Sequence, residues 1–389
     1  MLRALARIDL AAIERNCARL RRDLTGGAAL CAVVKANGYG HGAVAAARAA
    51  QAGGAAWIAV AAAEEAAELR AAGIAGPLLV MGALSEEELS VALAADADVV
   101  AWSAPFLAAL ERHGGARVHL KLDVGMGRLG TRDAEQLLRL AERVAATPGL
   151  ELTGATTHLP CADEDPELTR AQVARFRAFG ERVRALAPGA LLHAANSAAT
   201  LAVPESHCDL VRCGVAIYGL DPFGEDAAAR ELEPALELRS WVAARKPLAP
   251  GESVGYGARF TAREPTWTAT LPIGYGDGFH RAFSNNGEVL IRGRRHPLVG
   301  RVSMDNVTAD VGGDPDVREG DAAVLIGPDG DDRLTAEALA ARIDTINYEI
   351  TTSLTARVTR RYHRDGEPVE EAERSPAREE TARPDASRR

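Results

Sequence analysis

The chain has 389 residues, of which 47% are hydrophobic and 25% are charged, and its formal net charge is −9. This length fits two domains, or one large barrel with an appendage, and the acidic balance leaves no basic face for nucleic acid. No stretch reaches the roughly 18 apolar residues of a membrane span, and the N-terminus lacks the apolar core of a signal peptide, so we expect a cytoplasmic protein without nucleic-acid or membrane partners.

The first part of the chain, from about Ala29 to Gly219, alternates short β-leaning runs with Ala-rich amphipathic stretches. The intervening helices include residues 64–73, 133–146 and 167–186. Eight candidate strands begin near Ala29, Ala55, Pro77, Asp98, Arg117, Leu150, Leu191 and Leu210. Eight such units predict an α/β fold with a (β/α)8 barrel over residues 11–228.

After Asp221 the pattern changes to strands separated by Gly and Pro turns, at residues 237–246, 267–272, 288–292 and 322–326. We predict a mostly antiparallel β domain over residues 229–364, joined by a strand within residues 1–10. A helix at 335–343 and a last strand at 357–363 complete it. Residues 365–389 are rich in Glu, Arg and Pro with few apolar side chains, which predicts a disordered tail.

Two residue types are informative because they are scarce. The five cysteines show no CxxC spacing, which predicts reduced thiols and no metal site. Lysine occurs only at Lys35, Lys121 and Lys246, while arginine supplies every other basic residue. Because arginine cannot be deprotonated in proteins, the retained lysines are candidates for a titratable or nucleophilic amine.

Polar residues follow the predicted barrel strands at the ends where barrel enzymes place their chemistry. Lys35 follows the first strand, and Lys121 lies on the fifth strand, whose closing Gly-rich loop contains Arg128. The sixth, seventh and eighth strands end in or contain His158, the segment His193-Ala-Ala-Asn-Ser197, and Arg212. Each alone could be a solvated or structural residue, but together they predict a pocket for a small anionic ligand.

These residues stand in segments that resemble the bacterial alanine racemases. The resemblance covers roughly residues 3–364 through, in order, AVVKANGYGHG, KLDVGMGRLG, NSAAT, RCGVAIYG, SVGYGARF, LPIGYGDGF, GRVSMDN and TINYEI. It implies an isomerase that interconverts L- and D-alanine with pyridoxal 5′-phosphate and supplies D-alanine for peptidoglycan.

The resemblance also implies roles in holding the cofactor. Lys35 would form the Schiff base, and Arg212 would face the pyridine nitrogen, which should then stay unprotonated. The remaining cofactor-binding residues would be Tyr39, His158, Asn196, Ser197, Gly214, Val215 and Tyr348.

Catalysis would use two opposed bases, Lys35 and Tyr256, where Tyr256 reaches the barrel of the other subunit of a homodimer. A hydrogen-bond chain would run from Tyr256 through His158 to Arg212. The substrate would contact Arg128, Met304 and Tyr275. Lys121 would be a candidate carbamylated lysine.

Three alternatives remain open at this point. A broad-specificity amino-acid racemase would share the two bases but have a roomier pocket. A diamino-acid decarboxylase of the same architecture would place a carboxylate where this chain has Arg212. A non-enzymatic pyridoxal-phosphate carrier would need neither Tyr256 nor Met304.

Overall fold

The computed structural model describes residues 2–313 and 316–369. The chain begins with a strand, β1 (Leu5–Asp9), and a helix, α1 (Leu10–Arg22), and then enters a barrel. Eight parallel strands form the barrel in chain order: β2 (Ala29–Val33), β3 (Trp57–Val60), β4 (Leu78–Val80), β5 (Asp98–Ala101), β6 (Ala116–Lys121), β7 (Leu150–Thr156), β8 (Leu191–His193) and β9 (Leu210–Cys213). The predicted barrel is therefore confirmed.

The barrel closes where its last strand meets its first. Strand β9 pairs in parallel with β2, from Ala29 opposite Leu210 onward. On the other edge of β9, the N–H of Asp209 donates to the carbonyl of Leu192 and the N–H of Arg212 donates to the carbonyl of Ala195, both at 3.0 Å. The carboxyl ends of all eight strands therefore meet at one mouth.

The connecting helices bury apolar side chains against the barrel, and five of them begin at a side chain that caps the first turn. In the helix Ala134–Ala146, for example, Asp133 caps the first turn by accepting a hydrogen bond from the N–H of Gln136 at 2.9 Å, and the face buried against the barrel comprises Leu137, Leu138, Leu140, Ala141 and Val144. The barrel helices are α2 (Lys35–Tyr39), α3 (Ala43–Ala52), α4 (Ala63–Ala71), α5 (Glu86–Ala94), α6 (Ala104–Arg112), α7 (Ala134–Ala146), α8 (Pro166–Leu186) and α9 (Ser197–Ala202). Short 3-10 turns follow at Pro204–Ser206, Val215–Tyr218 and Ala227–Arg230.

The second unit is mostly antiparallel, as predicted. Its main sheet runs β16-β15-β18-β10-β1-β20-β21 with β19 on β18, a second sheet runs β11-β14-β17, and β12 and β13 form a hairpin. The strands are β10 (Leu236–Trp241), β11 (Ala244–Leu248), β12 (Ser253–Val254), β13 (Phe260–Thr261), β14 (Thr266–Leu271), β15 (Glu288–Ile291), β16 (Arg294–Pro297), β17 (Val307–Gly312), β18 (Ala322–Asp329), β19 (Asp332–Leu334), β20 (Thr359–Arg364) and β21 (Glu367–Pro368). The helices α10 (Ala336–Arg342) and α11 (Asn347–Thr352) and 3-10 turns at Tyr275–Asp277 and Arg281–Phe283 complete the unit.

Two details of the β domain correct the sequence predictions. The single strand predicted at 237–246 is two strands in different sheets, because the N–H of Val242 bonds to the carbonyl of Asp321 and that of Ala243 to the carbonyl of Thr270. The prediction of disorder is wrong for residues 365–369, since β21 pairs with β20 there. The rest of that segment, 370–389, lies outside the described residues.

Helix α11 is fixed over the barrel by buried hydrogen bonds. The Asn347 amide donates to the Asp221 carbonyl at 2.7 Å and to the Glu337 carboxylate at 2.9 Å, and the same carboxylate accepts from the N–H of Asp221 at 3.1 Å. This helix therefore contributes to the barrel mouth. Within the described residues, no helix is long and apolar enough to cross a membrane.

Candidate active site

A cavity of about 510 Å³ lies at the carboxyl ends of the barrel strands. Residues from the strand ends line it, together with Tyr348 and Thr352 from α11. Of the residues predicted from the sequence, the cavity brings together Lys35, Tyr39, Lys121, Arg128, His158, Asn196, Ser197, Arg212, Gly214, Val215 and Tyr348. The strand-end pattern therefore located this pocket.

Lys35 begins a left-handed turn. Ala36, Asn37 and Gly38 have φ between 52° and 62° with ψ between 44° and 51°, and Tyr39 has φ of 52°. Because a left-handed backbone costs roughly 1–2 kcal/mol per L-residue, the surrounding structure must impose this turn. It positions the Lys35 ammonium 6.0 Å from the centre of the Tyr39 ring.

The carboxylate of Glu65 holds the turn in place. One oxygen accepts the N–H of Ala36 at 2.6 Å, and the other accepts the N–H groups of Ala61 and Ala62 at 2.9 and 3.1 Å. At the far end, a Cβ on Gly40 would lie 2.0 Å from the carbonyl oxygen of Thr351, so only glycine allows α11 to approach. Sequence reasoning missed Glu65, whose only signal was an acidic residue in the first turn of the next predicted helix.

The cavity is strongly positive. Lys35, Lys121, Arg128 and Arg212 all line it, and no carboxylate stands among the lining residues in the described part of the chain. Burial lowers the pKa of Lys35, and the charges of Arg128 and Arg212 lower it further against the opposing effect of Glu65. Burial, followed by the charges of Arg212 and Arg128, lowers the pKa of Lys121 to about 8. Both amines are therefore more easily deprotonated than an exposed lysine.

Arg212 is held by four hydrogen bonds at the base of the cavity. Its Nη1 donates to the Nδ1 and carbonyl oxygen of His193, at 2.9 and 2.7 Å, and its Nη2 donates to the carbonyls of Thr157 and Ala194, at 2.7 and 3.1 Å. Burial lowers its pKa only to about 10, so it stays charged at neutral pH. A guanidinium has five N–H donors, and these four bonds use the four Nη hydrogens, so the Nε–H remains available to a ligand.

This arrangement corrects the hydrogen-bond chain predicted through His158 to Arg212. The imidazole that Arg212 contacts is that of His193, which begins the predicted polar segment at residues 193–197 but had no predicted role. Burial, followed by the charge of Arg212, lowers the pKa of His158 to about 3. His158 is therefore a neutral imidazole on the cavity wall.

A cluster of small polar groups lies around the carboxyl end of β9, beside β2, the strand that leads into Lys35. The hydroxyl of Ser197 accepts the N–H groups of Gly214 and Ala216 at 3.1 and 3.4 Å. A Cβ on Gly214 would lie 2.2 Å from the Tyr39 hydroxyl, so glycine is needed for this approach. Asn196 caps α9 at Ala199 and donates to the Leu159 carbonyl, so its side chain shapes the loop.

The loop that carries Arg128 is anchored by a second carboxylate that sequence reasoning did not assign. Asp123 accepts the N–H groups of Gly125 and Gly127, at 2.9 and 3.0 Å, and the Nε–H of Arg132 at 3.2 Å. These bonds fold the Gly-rich segment into a tight loop, which leaves Arg128 exposed at the mouth of the cavity.

Three predicted residues, Tyr256, Tyr275 and Met304, do not line the cavity. They belong to the β domain and are exposed by 72%, 41% and 51%. Tyr256 lies in the hairpin loop between β12 and β13. The N–H of Gly276 donates to the Met304 carbonyl at 2.9 Å, and this bond holds the loop that carries Tyr275 beside the loop that carries Met304.

Comparison with known proteins gives the family. Residues 8–222 match the family model described as the N-terminal domain of alanine racemase, and residues 235–362 match its C-terminal domain. The chain belongs to the alanine racemase family.

Individual relatives agree with this assignment. The chain is 43% identical over 364 residues to the alanine racemase of Symbiobacterium thermophilum, which covers 92% of this chain and 96% of that relative. Among solved structures, alanine racemase from D-cycloserine-producing Streptomyces lavendulae is 39% identical with a TM-score of 0.87, covering 93% of this chain and 97% of that one. The alanine racemase of Bacillus anthracis with bound L-Ala-P is 34% identical with a TM-score of 0.87, covering 95% and 97%.

Proposed function

We propose that this protein interconverts L- and D-alanine with pyridoxal 5′-phosphate as its cofactor. The observation that carries the proposal is the cavity at the barrel mouth, where a lysine with a lowered pKa faces a buried, charged Arg212 and no described lining residue is a carboxylate. A decarboxylase of this architecture would need a carboxylate where Arg212 lies. The match to the alanine racemase family over residues 8–222 and 235–362 supports the same choice.

The residues present fit the cofactor on two counts. The Nε–H of Arg212 is the one donor left after four hydrogen bonds to the protein, and an unprotonated pyridine nitrogen is an acceptor. The hydroxyls of Ser197, Tyr39 and Tyr348 and the main-chain N–H of Val215 would hold the phosphate, and the Gly214 N–H, which donates to Ser197 Oγ at 3.1 Å, would support it through that hydroxyl. Hydroxyl and amide donors suit a phosphate dianion without a further lysine.

Pyridoxal phosphate, when bound, supplies an aldehyde that reacts with an amine and withdraws electrons from the substrate Cα. Lys35 would carry the cofactor and take or return the Cα proton on one face, because burial and two neighbouring arginines favour its neutral amine. Arg212 would keep the ring nitrogen unprotonated, which limits electron withdrawal and favours prompt return of the proton.

Racemisation requires a second base on the opposite face, and we assign this role to Tyr256 of a second subunit. Within one chain its phenol is exposed on the β domain, as are Tyr275 and Met304. An exposed group of large apolar and aromatic side chains is typical of an interface. The protein would therefore act as a homodimer in which each β domain completes the cavity of the other subunit. His158 would accept a hydrogen bond from the phenol of Tyr256.

Arg128 would bind the substrate carboxylate together with the N–H of Met304 from the second subunit, since guanidinium gives directional recognition of a carboxylate. We assign a carbamate to Lys121. Its ammonium would first lose one proton. The neutral amine would then attack carbon dioxide, forming an N–C bond as one C–O π bond breaks and releasing a second proton, so that overall one positive charge in the cluster becomes a negative one. The lowered pKa of Lys121 supports this step, because only the neutral amine reacts.

The test is to incubate the wild-type protein and pyridoxal phosphate with L-alanine in D2O, and to follow deuterium at Cα and the chirality of the product. We expect D-alanine to appear with solvent deuterium at Cα. Serine and lysine are the comparison substrates, and turnover of these as fast as alanine would indicate a broad-specificity racemase. Release of carbon dioxide from a diamino acid, or cofactor binding without turnover, would contradict the proposal.

A further inference from the structure

A line of buried polar side chains crosses the barrel interior from the amino end of β5 to the cavity. It consists of Asp98, His119, His193 and Arg212, none of which is more than 6% exposed. His119 Nε2 lies 3.0 Å from Asp98 Oδ2, His119 Nδ1 lies 2.8 Å from His193 Nε2, and His193 Nδ1 lies 2.9 Å from Arg212 Nη1. We call these four residues the Asp98 line.

The ends of the Asp98 line determine its direction. Arg212 can only donate, because a guanidinium has no acceptor. Asp98 only accepts when it is ionised. Burial alone would raise its pKa, but the hydrogen bonds from His119 and Arg117, together with the charge of Arg117, outweigh burial and lower it. Its carboxylate also accepts from Arg117 Nε at 2.5 Å and from the Thr153 hydroxyl at 3.1 Å.

With both ends fixed, each imidazole has one possible tautomer. Arg212 donates to His193 Nδ1, so His193 must carry its hydrogen on Nε2 and donate it to His119 Nδ1. His119 in turn carries its hydrogen on Nε2 and donates it to Asp98. The reverse direction would place the Nδ1–H of His193 against an N–H of Arg212 at 2.9 Å, two donors facing each other.

We propose that Asp98, acting through His119 and His193, is a positioning residue for Arg212. The Asp98 line engages one Nη1 hydrogen of the guanidinium and main-chain carbonyls engage the other three Nη hydrogens, so that Nε–H remains for the cofactor ring. The role rests on the proposed function, since it assigns the ring nitrogen to Arg212. Hydrogen-bonded chains in a buried site also polarise one another, so the carboxylate strengthens the bond at the far end.

Replacing Asp98 by asparagine should reverse the direction of hydrogen-bond donation along the Asp98 line, because the new side chain has nearly the same size but presents an NH2 donor. The Arg117 guanidinium requires an acceptor, which turns the amide oxygen of the new side chain toward it and the amide NH2 toward His119. His119 would then accept at Nε2 and carry its hydrogen on Nδ1, and His193 would follow. The Nδ1–H of His193 would then point at an N–H of Arg212, so that two donors face each other. An Asp→Asn change in a catalytic triad selects the wrong histidine tautomer in the same way.

The experiment combines neutron diffraction from deuterated crystals of the cofactor-loaded protein with steady-state kinetics for wild type, Asp98→Asn and Thr153→Val. The Thr153 variant is the matched control, because it removes a hydrogen bond to the same carboxylate without changing its charge or direction. We expect deuterium on Nε2 of both His119 and His193 in wild type and in Thr153→Val, and on Nδ1 of both in Asp98→Asn. We expect Asp98→Asn to lower kcat about 10- to 100-fold with little change in KM, and Thr153→Val to stay within about twofold.

Deuterium on Nδ1 of His193 in the wild type would overturn the proposal, and this measurement requires no variant to fold. An Asp98→Asn protein with unchanged tautomers, or with kcat equal to that of Thr153→Val, would also overturn it. Failure of the proposed function gives a different result, namely the expected tautomers in a wild-type protein that does not racemise alanine.

Discussion

The barrel cavity and the exposed loops of the β domain contain the two halves of the candidate site, and they differ in how far one chain completes them. In the cavity, Arg212 has four hydrogen bonds to the protein, and Glu65 fixes the turn that begins with Lys35. On the β domain, Tyr256 projects from a two-stranded hairpin with 72% of its surface exposed.

The barrel of one chain therefore contains the groups for ligand binding, whereas completing the reaction requires a further group from the β domain. A single chain supplies the positive pocket and one candidate base, whereas a racemase also needs a base on the opposite face. We infer that the barrel is organised before assembly, and that the β-domain residues gain their function only against a second subunit. Three experiments test this division of roles between the barrel and the β domain.

The largest effect should come from Lys35→Ala. Loss of both the amine that carries the cofactor and one base should lower racemase activity by more than about 10⁴-fold. The matched control is Lys246→Ala, which removes an exposed lysine from β11 and should leave the rate unchanged. Chiral chromatography of the products gives both rates, and a Lys35→Ala protein of wild-type activity would exclude this lysine as a base.

A smaller effect should come from Tyr256→Phe, which removes the second base and should slow proton removal from L-alanine by about 10²–10⁴-fold. Mixing this variant with Lys35→Ala tests the division between the two regions. If Tyr256 acts on the other subunit, each mixed dimer has one intact site, and a random mixture should regain about a quarter of wild-type activity.

The control for this mixture is Lys35→Ala with Arg212→Ala, both in the barrel, which should regain nothing because every site carries one substitution. Equal failure of both mixtures, in dimers that exchange subunits, would indicate that Tyr256 acts on its own barrel or not at all.

The smallest effect concerns Lys121. Since its pKa is lowered to about 8, the neutral amine becomes the major form as pH rises above 8 and is scarce near pH 6. A carbamate signal in 13C NMR with labelled bicarbonate should therefore grow from pH 6 to pH 9 and disappear in Lys121→Ala. Lys246→Ala should keep it, and the loss of the carbamate should change KM for alanine by severalfold only. An unmodified Lys121 at pH 9 would refute the assignment.

Local pattern made much of the barrel and the pocket predictable. Strand β6, for example, begins at Ala116, where the pattern indicated Arg117, and the residues at its carboxyl end line the cavity. The boundary between β10 and β11 could not be predicted, because the two strands form one continuous pattern and only their pairing with different sheets divides them. Tyr256, by contrast, was found from family resemblance alone, since no periodicity marks an exposed hairpin loop.

The order and type of the elements and the chemistry at the strand ends follow from the sequence alone, because alternation, capping and glycine placement act over a few residues. Which side chains contact one another depends instead on the folded arrangement of the elements. Glu65 reaches the turn after Lys35, and His193 takes the contact with Arg212 that was expected for His158. Such contacts depend on strand register and barrel closure, which bring together residues far apart in the chain, and no local pattern carries that information.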